Sequence, residues 1–342
     1  VLGRNKPILA IDIGSSEIKA LEVNDTSRGI MLTGFGRARI GSQNDTIMAI
    51  NELMQQCRFK TKRCVTSVSG RSVIVRYVDM HQMSEEDLKQ AIRFEADKYI
   101  PFEVDDVVMD TQILEDNVAS SDQASMRVLL VAVRKSLIEE HLLLLQEAGL
   151  SPLTIDVDAF ALGNAFELRA ARHGGLSPEK VVALIDIGAN KTNINILKGP
   201  VSYFTREVYL AGNDFTEAVS RKFNLEPDEA ERFKADPGDQ ASDVEEAILP
   251  TLDDLGNEIQ LSFDYFENQF DRVVEEVYVS GGSARLPGLQ RAFEGAFEKS
   301  VVFWNPLEGV EVSAGKIDTR VLEAYAGQLA VGVGLATRVR RW

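Results

Sequence analysis

Asp12-Ile13-Gly14-Ser15-Ser16 recurs as Asp186-Ile187-Gly188-Ala189-Asn190, and each copy follows an apolar run. An apolar run ending in a carboxylate and then a Gly predicts a strand that stops at a tight turn. Such a turn presents backbone N–H groups that suit phosphate, and the carboxylate beside it suits Mg²⁺ rather than phosphate itself. Two of these units, one heading each half of the chain, predict two jaws that close on one Mg-nucleotide.

Composition narrows the field. At 342 residues the chain is long enough for two or more domains, each with its own core. A net charge of −16 argues against a nucleic-acid surface, because phosphate backbones attract Lys and Arg. Cys57 and Cys64 are the only cysteines and read as buried neutral thiols, and the three histidines are too scattered for a metal cluster. No apolar run approaches the roughly 18 residues of a membrane span, so the expected setting is cytoplasmic, with Arg338, Arg340 and Arg341 a small basic patch on an acidic surface.

The jaws need elements to hold them. Alternation over 8–23 and 30–40 predicts antiparallel strands, and Ile47, Ile50, Leu53 and Met54 predict a helix over 45–57. Strand composition returns at 65–70 and 73–78. Ser84-Glu85-Glu86-Asp87 reads as a helix cap, with the helix stopped by Pro101, and a strand pair follows at 105–114 and 126–133 across a polar loop at 115–125. A second cap, Ser136-x-x-Glu139, predicts a helix ended by Gly149. Residues 81–157 therefore read as a compact insertion, and 169–180, with Gly174-Gly175 and Pro178, as a hinge-like linker. The second half repeats the plan: strands over 181–209, a helical block over 212–270 with a Leu/Ile/Phe stripe expected to be core, and a buried helix in the Ala/Gly-rich tail 324–337.

Residues 12–19, 186–192 and 280–288 together resemble the two phosphate loops and the adenosine loop of the actin, sugar-kinase and chaperone ATPase superfamily. A lone Asp-x-Gly turn carries little weight, but three motifs in the superfamily's order and spacing carry much. Glu231-Arg232-Phe233-Lys234 resembles the Glu-x-x-Lys helix that grips adenosine in chaperone-type ATPases. Within the insertion, Met83-Ser84-Glu85-Glu86-Asp87-Leu88, Ala91-Ile92-Arg93-Phe94-Glu95-Ala96 and Tyr99-Ile100-Pro101-Phe102 resemble PilM, the actin-like family of type IV pilus assembly. Leu130-Val131-Ala132-Val133-Arg134 and Ile155-Asp156-Val157-Asp158-Ala159-Phe160 extend the likeness almost end to end, although Phe94 stands where many relatives have Trp.

That resemblance implies an α/β, actin-like (ribonuclease H-like) duplicated two-domain fold with an FtsA-like subdomain 1C. Subdomain 1A is expected at 1–80 and 158–178, 1C at 81–157, 2A at 179–210 and 276–342, and 2B at 211–275. It implies ATP and Mg²⁺ as ligands. It also implies a PilN-like N-terminal cytoplasmic peptide in a groove between 1A and 1C, links to other pilus assembly proteins, and recruitment to the inner membrane through the partner.

By the same resemblance, Asp12 and Asp186 face each other across the cleft and hold a Mg²⁺ through water, with Asp186 alternatively orienting the attacking water. Gly14 and Gly188 let the chain pass close to phosphate. Ser15, Ser16, Asn190 and Thr192 are candidate donors, with Ala189 in the second turn. Lys19 either reaches a phosphate or is a solvated strand lysine. Asp158 is a candidate for positioning water, with helix capping the alternative for it and for Asp156. Gly281, Gly282 and Ser283 are expected at the adenine face, and Gly212 and Asn213 near the ribose and phosphates. Glu231 and Lys234 either pinch the ribose and base or form a surface ion pair. The rival functions are a small-molecule kinase, disfavoured by so compact an insertion, and a self-associating filament former like FtsA. ATP turnover is left open, at most slow.

Overall fold

The computed structural model describes residues 6–40, 43–116, 125–313, 315 and 317–341, so most of the polar loop expected at 115–125 lies outside the described residues. The chain divides into two compact units, one of Val1–Ser67 with Leu153–Trp342 and one of Val68–Pro152.

In chain order the first unit begins with β1 (Ile8–Ile13), β2 (Glu17–Thr26), β3 (Gly29–Arg39), α1 (Gln43–Cys57) and β4 (Arg63–Val68). The second unit holds β5 (Val73–His81), α2 (Glu85–Glu95), β6 (Val107–Asp116), β7 (Ser125–Arg134) and α3 (Lys135–Glu147). The first unit resumes through β8 (Ser151–Val157) and α4 (Asp158–Arg172). Its second half is β9 (Val181–Ile187), β10 (Thr192–Lys198), β11 (Val201–Val208), α5 (Gly212–Phe223), α6 (Pro227–Ala235) and α7 (Ala241–Phe270). After these come β12 (Glu276–Ser280), α8 (Leu289–Phe297), β13 (Val301–Phe303), β14 (Glu311–Val312), α9 (Thr319–Ala324) and α10 (Ala330–Ala336).

The second unit is a three-stranded antiparallel sheet, order β5-β7-β6, over a core of Leu88, Ile92, Val128 and Leu130. Ser84 caps α2 as the sequence predicts, its hydroxyl accepting from the Asp87 N–H at 3.2 Å. Ser136 does not cap α3. β7 runs into that helix without a turn, so Ser136 falls inside it and the N-cap position is Arg134, whose side chain makes no capping bond. Where the sequence set an insertion at 81–157, β5 joins this sheet and most of β8 leaves it. Strand composition at 73–78 identifies a strand but not the sheet it will join.

The first unit contains a six-stranded sheet, order β14-β3-β2-β1-β4-β8, and a five-stranded sheet, order β11-β10-β9-β12-β13. The stripe on α7 is core: Val244, Ile248, Leu252, Leu255, Ile259, Phe263 and Phe266 are all buried, packed with Phe215 of α5 and Phe293 of α8. A second core surrounds α4 and α10. There Leu162, Phe166 and Leu335 pack with Ile8 and Ala10 of β1 and with Val182 and Leu184 of β9. The two helices thus tie the heads of both halves into one body. The tail forms α9 and α10 as two short helices, the second buried throughout. The expected linker is partly helical, since α4 runs to Arg172. Gly174 and Gly175 follow it at φ +93° and +86°.

α4 and α10 approach so closely that a methyl group on Gly334 would sit 1.7 Å from the Ala161 carbonyl oxygen. Backbone cannot yield there as a flexible side chain does. Gly334→Ala is expected to lower unfolding free energy by about 2–4 kcal/mol. Gly295→Ala, on α8 with nothing within 4 Å of the added carbon, is expected to be neutral or stabilising by about 0.5–1 kcal/mol in the same urea titration.

Candidate functional site

The repeated motif folds into the same turn twice. The Gly14 N–H donates to the Glu17 carbonyl at 3.1 Å and the Gly188 N–H to the Lys191 carbonyl at 3.0 Å. A Cβ at either Gly would lie 2.9 Å from that carbonyl oxygen, so close backbone approach demands glycine at both. Strand register extends the symmetry. Asp12 stands opposite Lys19, and Lys19 opposite Arg37, across β1, β2 and β3. In the second copy Asp186 stands opposite Asn193, and Asn193 opposite Glu207, across β9, β10 and β11. Register partners project on one face, so each jaw carries a transverse polar row beside its turn.

These rows meet a set of ion pairs. Lys19 Nζ lies 3.1 Å from Asp12 Oδ2. Lys191 Nζ bridges Asp158 Oδ2 at 3.1 Å and Glu207 Oε1 at 3.0 Å, joining the start of α4 to β11. Asp186 Oδ1 accepts from the Ser280 hydroxyl at 2.9 Å, at the end of the neighbouring β12. Burial pushes the Asp12 carboxyl above its ordinary range, with Lys19 opposing and Asp158 adding. Burial likewise pushes Asp186 up to about 6, against the Ser280 hydrogen bond and the Lys19 charge. Burial by itself would pull the Lys19 ammonium down, but the Asp12, Asp186 and Glu17 carboxylates together outweigh it and leave it raised. Lys191 is raised in the same way by Asp158 and Glu207.

A cavity of about 730 Å³ opens beside this floor. Ser16, Lys19, Gly188, Ala189, Gly212, Asn213, Glu231, Lys234, Gly282 and Ser283 line it, which brings most of the expected ligand residues to one place. The N-terminus of α5 is fixed to the second turn, with the Gly212 N–H on the Gly188 carbonyl at 3.0 Å and the Asn213 N–H on the Ala189 carbonyl at 2.8 Å. The pair Glu231–Lys234 is not a lone surface ion pair. Lys234 is buried and donates to the Gly212 carbonyl at 2.9 Å and to Thr216 Oγ1 at 2.7 Å, besides lying 2.6 Å from Glu231. Burial draws its ammonium below the usual value despite Glu231.

Other expected residues sit elsewhere. Thr192 is fully buried and spends its hydroxyl on the Leu210 carbonyl at 2.8 Å, closing β10 onto the chain before α5. Gly281 is not among the residues lining the cavity, and a Cβ there would fall 2.3 Å from the Ile187 carbonyl oxygen, so the position demands glycine. Asn190 accepts from the Asn213 amide, and Gly14 and Ser15 form the turn behind Ser16. Asp158, rather than capping its helix from the N-cap position, is the first residue of α4 and is paired with Lys191. Asp156 is held by Arg338 Nε at 2.8 Å. Of the terminal basic patch, Arg338 is thus engaged within the fold and exposed Arg340 lies 3.5 Å from Asp25, while the Arg341 side chain lies outside the described residues. Cys64 is buried, and its thiol is pushed up to about 12, the inert thiol expected from the sequence.

Sequence motifs missed Asn193, Arg37, Arg39, Tyr325 and Gln328. The last four line the cavity. Asn193 is buried opposite Asp186, and its Oδ1 has no hydrogen-bond partner. It was detectable as the counterpart of Lys19 in the second copy. Among the described residues no group of three His, Cys, Asp or Glu side chains is placed to grip a metal directly. The donor set, two raised carboxylates and one orphan amide oxygen, fits a cation held through its hydration waters.

A family model for the type IV pilus assembly protein PilM matches residues 10–340. The chain belongs to the PilM family. It is also similar to a solved PilM–PilN type IV pilus biogenesis complex, at TM-score 0.86 and 29% identity, covering 98% of this chain and 99% of that one. The cell division protein FtsA of Bacillus subtilis (strain 168) is 21% identical over 89% of this chain and 80% of FtsA. MreB5 of Spiroplasma citri, solved bound to ADP, shares the fold at TM-score 0.53 and 9% identity, with 98% and 97% of the two chains covered. The fold of this PilM-family chain is actin-like, as its motifs imply.

Asp186 makes the site pH-dependent. Its carboxyl rises from 3.8 to about 6 on folding, so between those values the folded chain keeps a proton that the unfolded chain releases. The stability this group contributes is present below 3.8 and is lost as pH rises through about 6. Asp186→Asn removes the buried charge. It is expected to raise unfolding free energy at pH 8 by on the order of 2 kcal/mol and to leave it nearly unchanged near pH 4, measured by urea denaturation.

Proposed function

We propose that this chain is an ATP-binding scaffold of type IV pilus assembly that holds the N-terminal cytoplasmic peptide of a PilN-type inner-membrane protein and links it to the rest of the pilus machinery. The observation that carries this reading is the end-to-end likeness to the PilM–PilN complex, at an identity above that to FtsA or MreB5. Recruitment to the membrane then comes through the partner, consistent with the finding that no helix among the described residues is long and apolar enough to cross a bilayer.

The cleft residues take roles in this reading. Gly188 and Ala189 of the second turn and Gly14, Ser15 and Ser16 of the first would cradle the phosphates from two sides, with Lys19 and Asn190 beside them. Gly212 and Asn213 would approach the ribose and phosphates, Glu231 and Lys234 the ribose and base, and Gly282 and Ser283 the adenine. Asp12, Asp186 and Asn193 would hold hydrated Mg²⁺, which when bound neutralises phosphate charge. Gly281 and Thr192 serve by fixing the loops behind them. The subdomain reading follows the same lines: 1A and 2A carry the two turns, 2B carries α5, α6 and α7, and 1C corresponds to the inserted sheet.

Asp158 bears on turnover. A carboxylate that positions water works best as a free acceptor, and here it is ion-paired to Lys191. That pairing favours a nucleotide that is held rather than rapidly spent, in keeping with a scaffold.

Two measurements test the proposal. Asp12→Ala and Asp186→Ala are each expected to weaken Mg-ATP binding by about tenfold or more in calorimetric titration, an effect on the order of 1.4 kcal/mol. A fluorescent N-terminal peptide of the PilN-type partner is expected to bind the wild-type chain in anisotropy titrations. Unchanged Mg-ATP affinity in both variants removes the cleft assignment, and failure of the peptide to bind removes the scaffold reading.

A further inference from the structure

Five cationic side chains stand around the cleft, and four of them are committed. Lys19 is paired with Asp12, Lys191 with Asp158 and Glu207, and Lys234 with Glu231. Arg37 is paired with Glu17, and its guanidinium lies 3.6 Å over the Tyr325 ring while donating to the Tyr325 hydroxyl. Arg39 is different. It is exposed, it lines the cavity, and it makes no ion pair among the described residues.

Register explains why it faces the cavity. Arg39 stands opposite Glu17 as Arg37 stands opposite Lys19, so residues two apart on β3 project on the face that carries Lys19. Its position is also tied to the first turn, because the next residue, Ile40, donates its N–H to the Ser16 carbonyl at 3.0 Å. Sheet order then fixes which end of the cleft it serves. β3 lies on one side of β1, while β4, β8 and the start of α4 with Asp158 lie on the other. The cavity that includes Arg37 and Arg39 is lined by Tyr325, Gln328, Gly282 and Glu231 and by Ser16, Gly188 and Ala189 of the two turns, but by none of Asp12, Asp158 or Asp186. Arg39 therefore stands between the Gly282–Ser283 loop and the two turns, on a strand that β2 and β1 separate from β4, β8 and Asp158.

We propose that Arg39 contacts the α-phosphate of the bound adenine nucleotide, with the Arg37–Tyr325 stack as the fixed wall beside it. This rests on the nucleotide reading given above and adds a residue to it. A nucleotide running from the Gly282–Ser283 loop toward the acids passes its first phosphate along this wall. A guanidinium with no carboxylate partner is the group best suited to bind it, through planar, charge-assisted hydrogen bonds. The α-phosphate is common to ATP and ADP, so Arg39 sets affinity for both alike and does not distinguish them.

The test is calorimetric titration of ATP and of ADP, each with Mg²⁺, into the wild-type chain, Arg39→Gln and Arg39→Lys. Arg39→Gln is expected to weaken ATP and ADP by the same factor, about tenfold. Arg39→Lys is expected to recover part of that loss, since it restores the charge without the planar fork. The wild-type ADP affinity should also fall more steeply with added salt than that of Arg39→Gln. Melting curves serve as the folding control, and an exposed side chain without an ion pair is expected to leave them in place. Unchanged ATP and ADP affinities, or a loss confined to ATP, overturn the assignment, the second by placing Arg39 on a terminal phosphate. A wild-type chain that binds neither nucleotide overturns the nucleotide reading itself, and this inference with it.

Discussion

Carboxylates gathered at the floor of one cleft are the constraint on which the rest of the first unit depends. Among the described residues, Asp12, Asp158, Asp186 and Glu207 gather around the ammonium groups of Lys19 and Lys191. Removing charge from water is expensive, and incomplete neutralisation makes it more so. The raised carboxyls of Asp12 and Asp186 express that cost, which the chain can lower by binding a proton or a cation. The Asn193 amide oxygen, without a hydrogen-bond partner among the described residues, lies opposite one of these acids.

Such a floor persists only if its supports are stiff. Strands β1 and β9 end in the two carboxylates, and both are buried between helices that cannot shift without breaking close packing. α4 and α10 touch backbone to backbone at Gly334 and Ala161, which leaves little freedom at that point. Both turns are closed by a Gly N–H on a carbonyl three residues along, and the second is pinned again by the first turn of α5. Small displacements of a jaw must therefore move whole helices. A nucleotide that spans the jaws acts on the body as a unit, which is the property a scaffold needs more than a fast enzyme does.

The Lys191 bridge adds a tie of charge across the first unit. Its ammonium reaches from the second turn to the first residue of α4 and to β11, so it joins the two halves by charge where the helices join them by packing. Asp158 is thereby both a cleft residue and a structural tie. Lys234 plays the analogous part on the other wall, where it gathers the Gly212 carbonyl, Thr216 and Glu231 into one network. In both cases a residue that the motif presents as a ligand also builds the wall that would receive it.

Local chemistry was legible in the chain. The two Asp-x-Gly turns, the capped start of α2, the buried stripe of α7 and the family likeness all follow from patterns within about thirty residues, where strand alternation, helical spacing and turn chemistry act. Relations across the chain were not. Nothing in residues 73–78 states which sheet β5 enters, and nothing at Ser136 reveals that β7 feeds α3 directly. Thr192 looked like a phosphate donor because its type and place fit, but the strand's inward face decided otherwise. At Gly281 the requirement for glycine comes from the Ile187 backbone, which occupies the space a side chain would need. Arg37 and Arg39 became visible only through register, since pairing between strands places side by side residues that no local motif connects. The sequence by itself determined the turns, the family and the acids of the cleft. Tertiary structure decided which side chains those acids meet and that Arg39, beside the cavity, has no ion pair among the described residues, because burial and pairing are properties of the packed chain and not of any segment of it.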